Sequence, residues 1–210
     1  MDKFYALKTD IKTVPKKYSS LLGCTLIMAS LGSLSTISTL SPYYISYIRE
    51  ELNQTNVRYS KNIYIYCSQQ TFIALSAITA GFLKNYLNAD IRRIAFLGSI
   101  ILSGAFALSF FTIKDNFGVF VLSQGVMFGM GYGLIYIVPT SICFKWFEKS
   151  KGLASSLIFL GNGLGSLFFN LIGSIYINPE NLSPDKPFSS DNSQEKYFST
   201  KVILVKLNFI

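Results

Sequence analysis

Apolar positions in this chain do not alternate with charged ones. They gather into long runs, and the charges are swept into short connectors between them. No Asp, Glu, Lys or Arg occurs between Lys17 and Arg49, Lys61 and Lys84, Arg93 and Lys114, Asp115 and Lys145, or Lys151 and Glu180. These five runs, of about 20 to 31 residues, exceed the roughly 18 that mark a transmembrane helix. At about 1.5 Å rise per residue, 20 residues cross a hydrocarbon core of about 30 Å. The pattern predicts spans within 18–47, 62–83, 94–113, 117–144 and 152–177, so the fold class is all-α and polytopic. Short connectors suggest that sequential spans are antiparallel neighbours. Pro42 and Pro139 are expected near span ends, where a missing N–H costs least.

Composition strengthens this picture: the 210 residues are 50% hydrophobic and only 14% charged. The net charge of +8 does not point to nucleic acid, because the cations sit in connectors beside apolar runs rather than on one solvated face. Their distribution instead predicts orientation. Eleven Lys and Arg flank one set of span ends (the amino-terminal tail and the 2–3 and 4–5 connectors), against five on the other. The amino terminus is therefore expected in the cytosol. The sequons Asn53-Gln54-Thr55 and Asn181-Leu182-Ser183 both fall on the opposite side. The cluster KWFEKSKGLASS, residues 145–156, then reads as a cytosolic hairpin, with Trp146 and Phe147 at headgroup level.

The chain has no histidine, which excludes His-based acid–base catalysis and His metal ligation. Cys24, Cys67 and Cys143 lie inside apolar runs and read as small buried hydrophobes rather than a disulfide framework. No paired carboxylates, catalytic triad or phosphate-binding loop stands out, so neither an enzyme nor a cofactor is expected.

Two devices within the spans do stand out. Gly125, Gly129 and Gly133 recur every four residues, and Gly161, Gly165 and Gly173 make a similar stripe in the last span; both suit close helix approach. One residue away, about 100° around each helix, run Gln124, Phe128, Tyr132 and Tyr136, and Asn162, Ser166 and Asn170. Such an edge either lines a cavity or hydrogen-bonds between helices. Ser33, Ser35, Thr36, Ser38 and Thr39 suit packing in the first span, while Gln69 and Gln70 are larger amides suited to facing water. Tyr136, Tyr132, Gln124, Gln69, Gln70 and Asn162 are the candidate substrate-binding residues.

Residues 129–169, GMGYGLIYIVPTSICFKWFEKSKGLASSLIFLGNGLGSLFF, resemble a glycine-rich fourth helix, a Trp-Phe hairpin and a glycine-rich fifth helix of the major facilitator superfamily. The nearest branch is the oxalate/formate antiporter and monocarboxylate transporter group. In GFLKNYLNADIRR, residues 81–93, Gly81 and Leu83 match that superfamily's 2–3 loop. Asn85 replaces its acid, removing the charge for a salt bridge, and Asn88 replaces its second glycine. The resemblance implies twelve helices in two six-helix halves, with a substrate bound between them. It also implies that carboxylate-binding cations lie in the second half. This chain would supply a partial amino-terminal half: a cytosolic basic tail at 1–17, spans 1–5 at 18–177, and at 178–210 an outer loop with the truncated start of a sixth helix. The expected function is transport of a small organic anion, a monocarboxylate or dicarboxylate, by alternating access as part of a complete transporter. The alternative is a truncated, non-transporting product that only inserts or associates. Membrane lipid and the anion are the expected partners, at the plasma membrane or an internal membrane.

Overall fold

The computed structural model describes residues 2–51, 57–114, 116–179, 186–187 and 196–197, with side chains described at 16–49, 57–114 and 116–179. The first apolar run forms α1 (Asp2–Leu31), a 3₁₀ turn (Gly32–Ser35) and α2 (Thr36–Glu51). The second is α3 (Asn62–Asn85) and the third α4 (Ile91–Thr112). The fourth comprises α5 (Phe117–Val121), a π turn (Leu122–Met127) and α6 (Phe128–Trp146); the fifth is α7 (Lys151–Ile177). Beyond them, Lys186–Pro187 and Lys196–Tyr197 pair as a two-residue antiparallel ladder. Both sequons, Asp115 and the segment 198–210 lie outside the described residues.

Four of the five rods, 16–49, 91–112, 117–146 and 148–177, are long and apolar enough to cross a membrane. The fifth, α3, has the length at 24 residues. It carries Ser68, Gln69, Gln70, Thr71 and Ser76, which dilute its apolar character. Its partners explain how it tolerates them. Thr71 donates to the Cys67 carbonyl at 2.8 Å and Ser76 to the Phe72 carbonyl at 2.6 Å, both within the helix.

Chain neighbours are not always spatial neighbours. Helices α3 and α4, joined by a short turn, pack mainly on either side of α6 rather than on each other, while α1 packs on α7 and more lightly on α6. Glycines explain why α6 takes two partners. A Cβ on Gly129 would stand 2.7 Å from the Gln69 carbonyl oxygen, and one on Gly131 would stand 2.6 Å from the Leu102 nitrogen of α4. Residues two apart on a helix point about 200° apart, so α6 is gripped on opposite faces. The Gly131–Gly98 contact lies off the every-fourth-residue stripe, on the opposite face of α6.

Other expectations are corrected in detail. Pro42 and Pro139 lie inside α2 and α6, well before their ends. Pro42 has no N–H for the Ser38 carbonyl, and the Ser41 hydroxyl donates to it instead at 3.0 Å. Phe147 is not at the surface but buried, with the Lys17 ammonium 4.3 Å from its ring centroid and Tyr18 edge-on. The 4–5 hairpin thus docks on the start of the first span. Cys24 and Cys143 are buried as expected, whereas Cys67 is exposed. In the 2–3 turn, Asn88 adopts φ 48°, in the left-handed region that favours glycine and next tolerates Asn. Asp90 caps the following helix by accepting from the Arg92 N–H at 3.2 Å.

Candidate functional site

The first span runs from Lys16 to Arg49, and its helix tightens to a 3₁₀ turn at Gly32–Ser35, close to half its length. Irregular backbone at this depth persists only where protein or a cavity satisfies it. Here α7 satisfies it. A Cβ on Gly32 would stand 2.6 Å from the Asn162 carbonyl oxygen, so the two backbones touch. The Ser35 hydroxyl donates to the Gly32 carbonyl at 3.0 Å and shares a hydrogen bond with the Ser166 hydroxyl. Asn170 Nδ2 donates to Ser35 Oγ at 2.9 Å and to Ser166 Oγ at 3.4 Å. Asn170 Oδ1 is buried and accepts from no described residue. A further half-buried amide, Asn162, donates to the Met28 carbonyl at 3.1 Å.

An aromatic ladder stands beside this cluster on α6. Phe128 stacks on Tyr132 at 6.2 Å between centroids, Tyr132 on Tyr136 at 6.0 Å, and Tyr136 leans on Phe159 of α7 at 6.2 Å. Asn162 faces the Tyr132 hydroxyl. Tyr132 is buried and Tyr136 half-buried. The arrangement offers hydroxyl and amide donors beside ring faces. It offers no cation: every Lys and Arg described lies at or beyond a rod end.

The six candidate residues therefore separate into three places. Tyr132, Tyr136 and Asn162 come together where α6 meets α7. Gln69 and Gln124 meet in the seam between α3 and the π turn, where Gln69 Nε2 donates to the Gln124 carbonyl at 3.2 Å. Gln69 is fully buried, and the Oε1 atoms of both glutamines accept from no described residue. Gln70 stands apart on the exposed face of α3. The uniform 3.6-residue period that placed Gln124 in line with Tyr132 is interrupted by the π turn at Leu122–Met127. The Ser35–Ser166–Asn170 cluster was visible only as separate polar positions. The signal for it is a polar residue at matching depth in two spans whose glycines also match.

A separate cavity of about 430 Å³ lies at the other end of the bundle from the amino terminus, between α2, α4, α5 and the end of α7. Gln124 lines it, but Tyr132, Tyr136 and Asn162 do not.

No family model matches the chain, and no solved structure does. Curated proteins do. The chain is 25% identical over 211 residues to apicoplast pyruvate carrier 1 of Toxoplasma gondii, covering 85% of this chain and 38% of the carrier. It is 35% identical over 100 residues to the MFS-type transporter YhjX of Escherichia coli K12, covering 48% of this chain and 24% of that protein. It is 31% identical over 78 residues to monocarboxylate transporter 9 of Gallus gallus, covering 37% of this chain and 15% of that protein. The chain thus spans well under half the length of each.

Proposed function

We propose, from the premise that this chain is a relative of MFS-type and monocarboxylate transporters, that it forms one wall of a carrier for small organic anions. It is a multi-pass membrane protein, and the relatives are named as transporters, not enzymes. The observation that carries the finer reading is the polar patch at half-height, where the 3₁₀ turn of the first span meets α7 beside a tyrosine ladder. A mid-helix stretch of 3₁₀ often marks a functional hinge. Two kinds of relative carry pyruvate or monocarboxylate in their names, which favours a monocarboxylate as cargo.

Within this proposal Tyr136, Tyr132 and Asn162 contact the anion, supported by Ser35, Ser166 and Asn170. Gln69 and Gln124 hold α3 against the fourth span, and Gln70 faces outward for the same wall. A carboxylate stranded without compensating charge would cost several kcal/mol or more. The cation must then come from a facing wall that alternates with this one between inward- and outward-open states. The amino terminus lies in the cytosol. Single cysteines at Ser150 and Asn56, in a background lacking the native three, should label from opposite sides; outside labelling at Ser150 overturns that orientation.

Uptake decides the main proposal. Membrane vesicles from cells expressing the gene should accumulate labelled pyruvate or lactate saturably, and Tyr136→Ala should remove most of that uptake. The purified 210-residue chain in liposomes should show none above empty vesicles. Absence of uptake in the first preparation, or indifference to Tyr136→Ala, rejects the assignment. Saturable uptake by the purified chain would show that one wall suffices.

A further inference from the structure

The cavity at the end opposite the amino terminus belongs to neither the tyrosine ladder nor the Ser35–Ser166–Asn170 cluster. Its walls are mainly apolar, with Ile37 and Leu40 from α2, Phe110 and Ile113 at the end of α4, and Phe120 from α5, interspersed with Thr36, Ser109 and three tyrosines. Ile65, fully buried, forms its floor. A single charged residue reaches the lining, Lys114, which is exposed at the mouth with its ammonium 4.6 Å from the Phe110 ring centroid. Among the described residues no carboxylate pairs with it.

Of α7 only Ile177 reaches the lining, where it packs on Tyr43 of α2. Gly161 and Gly165 press on Thr25 and Ala29, but a Cβ on Gly173 would meet Leu40 only at an ordinary 3.6 Å. The volume is within the range of pockets that take drug-sized ligands. It is also open sideways: Phe106 and Ala107, both in its lining, are exposed on the outer face of α4. Both belong to a rod long and apolar enough to cross a membrane.

The geometry points to a binding site for a long-tailed carboxylate drawn from the bilayer, a free fatty acid, with its head on Lys114 and its tail among Leu40, Ile113 and Phe120. A small, strongly hydrated anion would gain little from these walls and would have one cation only. A neutral lipid would leave the ammonium without a counter-charge. This inference does not rest on the transport reading, because none of the residues assigned to cargo contact lines the cavity; Gln124, which does, is assigned to the α3 seam.

The test is photolabelling of the chain in nanodiscs with a decanoic acid carrying a diazirine near its terminal methyl, followed by peptide mapping. Adducts should fall on the α2 and α4 segments around Leu40 and Ile113. They should be suppressed by decanoate, and not by decanol or pyruvate. Lys114→Gln should weaken competition by decanoate about threefold, the loss of one solvent-exposed ion pair, while Lys114→Arg retains it. Lys114 is exposed beyond the end of α4, so both variants should insert normally. Equal competition by decanol overturns the inference, as do adducts spread over the exposed leucines of α7. Competition by pyruvate also overturns it, and would place the cavity on the path of the cargo instead.

Discussion

Two glycine seams hold this bundle, and they behave differently along their length. On the fourth span, Gly125, Gly129 and Gly133 face Ser68, the Gln69 carbonyl and Ser76 of α3, and the contact stays tight at all three. On the fifth, Gly161 and Gly165 press on the first span as closely, yet at Gly173 the helices have parted to ordinary contact. The sequences explain the difference. The first stripe recurs without a gap every four residues; in the second, the position after Gly165 is Phe169. A helix pair in lipid has little hydrophobic drive to stay together, so it closes only where backbones approach and interhelical hydrogen bonds form. An unbroken stripe makes a rigid pair. An interrupted one makes a pair whose backbones touch at half-height and whose far end is joined by side chains, Tyr43 packing on Ile177.

The comparison breaks most readily at the tightest glycines. Gly165→Ala puts a methyl group onto the Ala29 carbonyl, and Gly129→Ala puts one 2.7 Å from the Gln69 carbonyl oxygen. Neither obstacle is a flexible side chain, so the helices must separate, at a cost of about 1–3 kcal/mol or more. Both variants should give a sharp loss of monodisperse protein on size-exclusion chromatography in mild detergent. Gly173→Ala should match the parent. If Gly173→Ala is as damaging as Gly165→Ala, the backbone approach does not loosen toward Gly173.

Gly131→Ala is expected next, since its methyl group would meet the Leu102 backbone at 2.6 Å and push α4 from the far side of α6. Retention of parental thermal stability by this variant would show that α6 is held from one side only.

The polar bridges should be worth less. Membrane hydrogen bonds average about 0.6 kcal/mol, with some near 2. Asn170→Ala, which removes donors to Ser35 and Ser166, should therefore lower the unfolding midpoint by a few degrees at most. Gln69→Leu should cost less still, because it trades one hydrogen bond of 3.2 Å for the removal of a buried acceptor with no described donor. A larger loss for Gln69→Leu than for Asn170→Ala would mean that the α3 seam depends on its amide more than on its glycines. Gln70→Leu, on the exposed face of α3, should be silent in stability and serves as the baseline.

The chain by itself determined the large features of this protein. Five uncharged runs make helices because a membrane-embedded backbone must satisfy its own hydrogen bonds, and the connectors take the charges because hydrocarbon will not. Glycine spacing marked the faces that touch. What the sequence did not determine is which helix each face meets. Lipid tails and helix surfaces are alike in polarity, so an apolar face reads the same whether lipid or a neighbour covers it. Only the assembled bundle places α6 between α3 and α4, and sets Gly131 against Gly98. The 3₁₀ turn at Gly32–Ser35 and the π turn at Leu122–Met127 are likewise tertiary decisions. Neither contains a proline to announce it. Each departs from regular helix where neighbouring backbone and side chains supply the missing partners, and together they separate Gln124 from Tyr132 and bring Ser35 to Asn170.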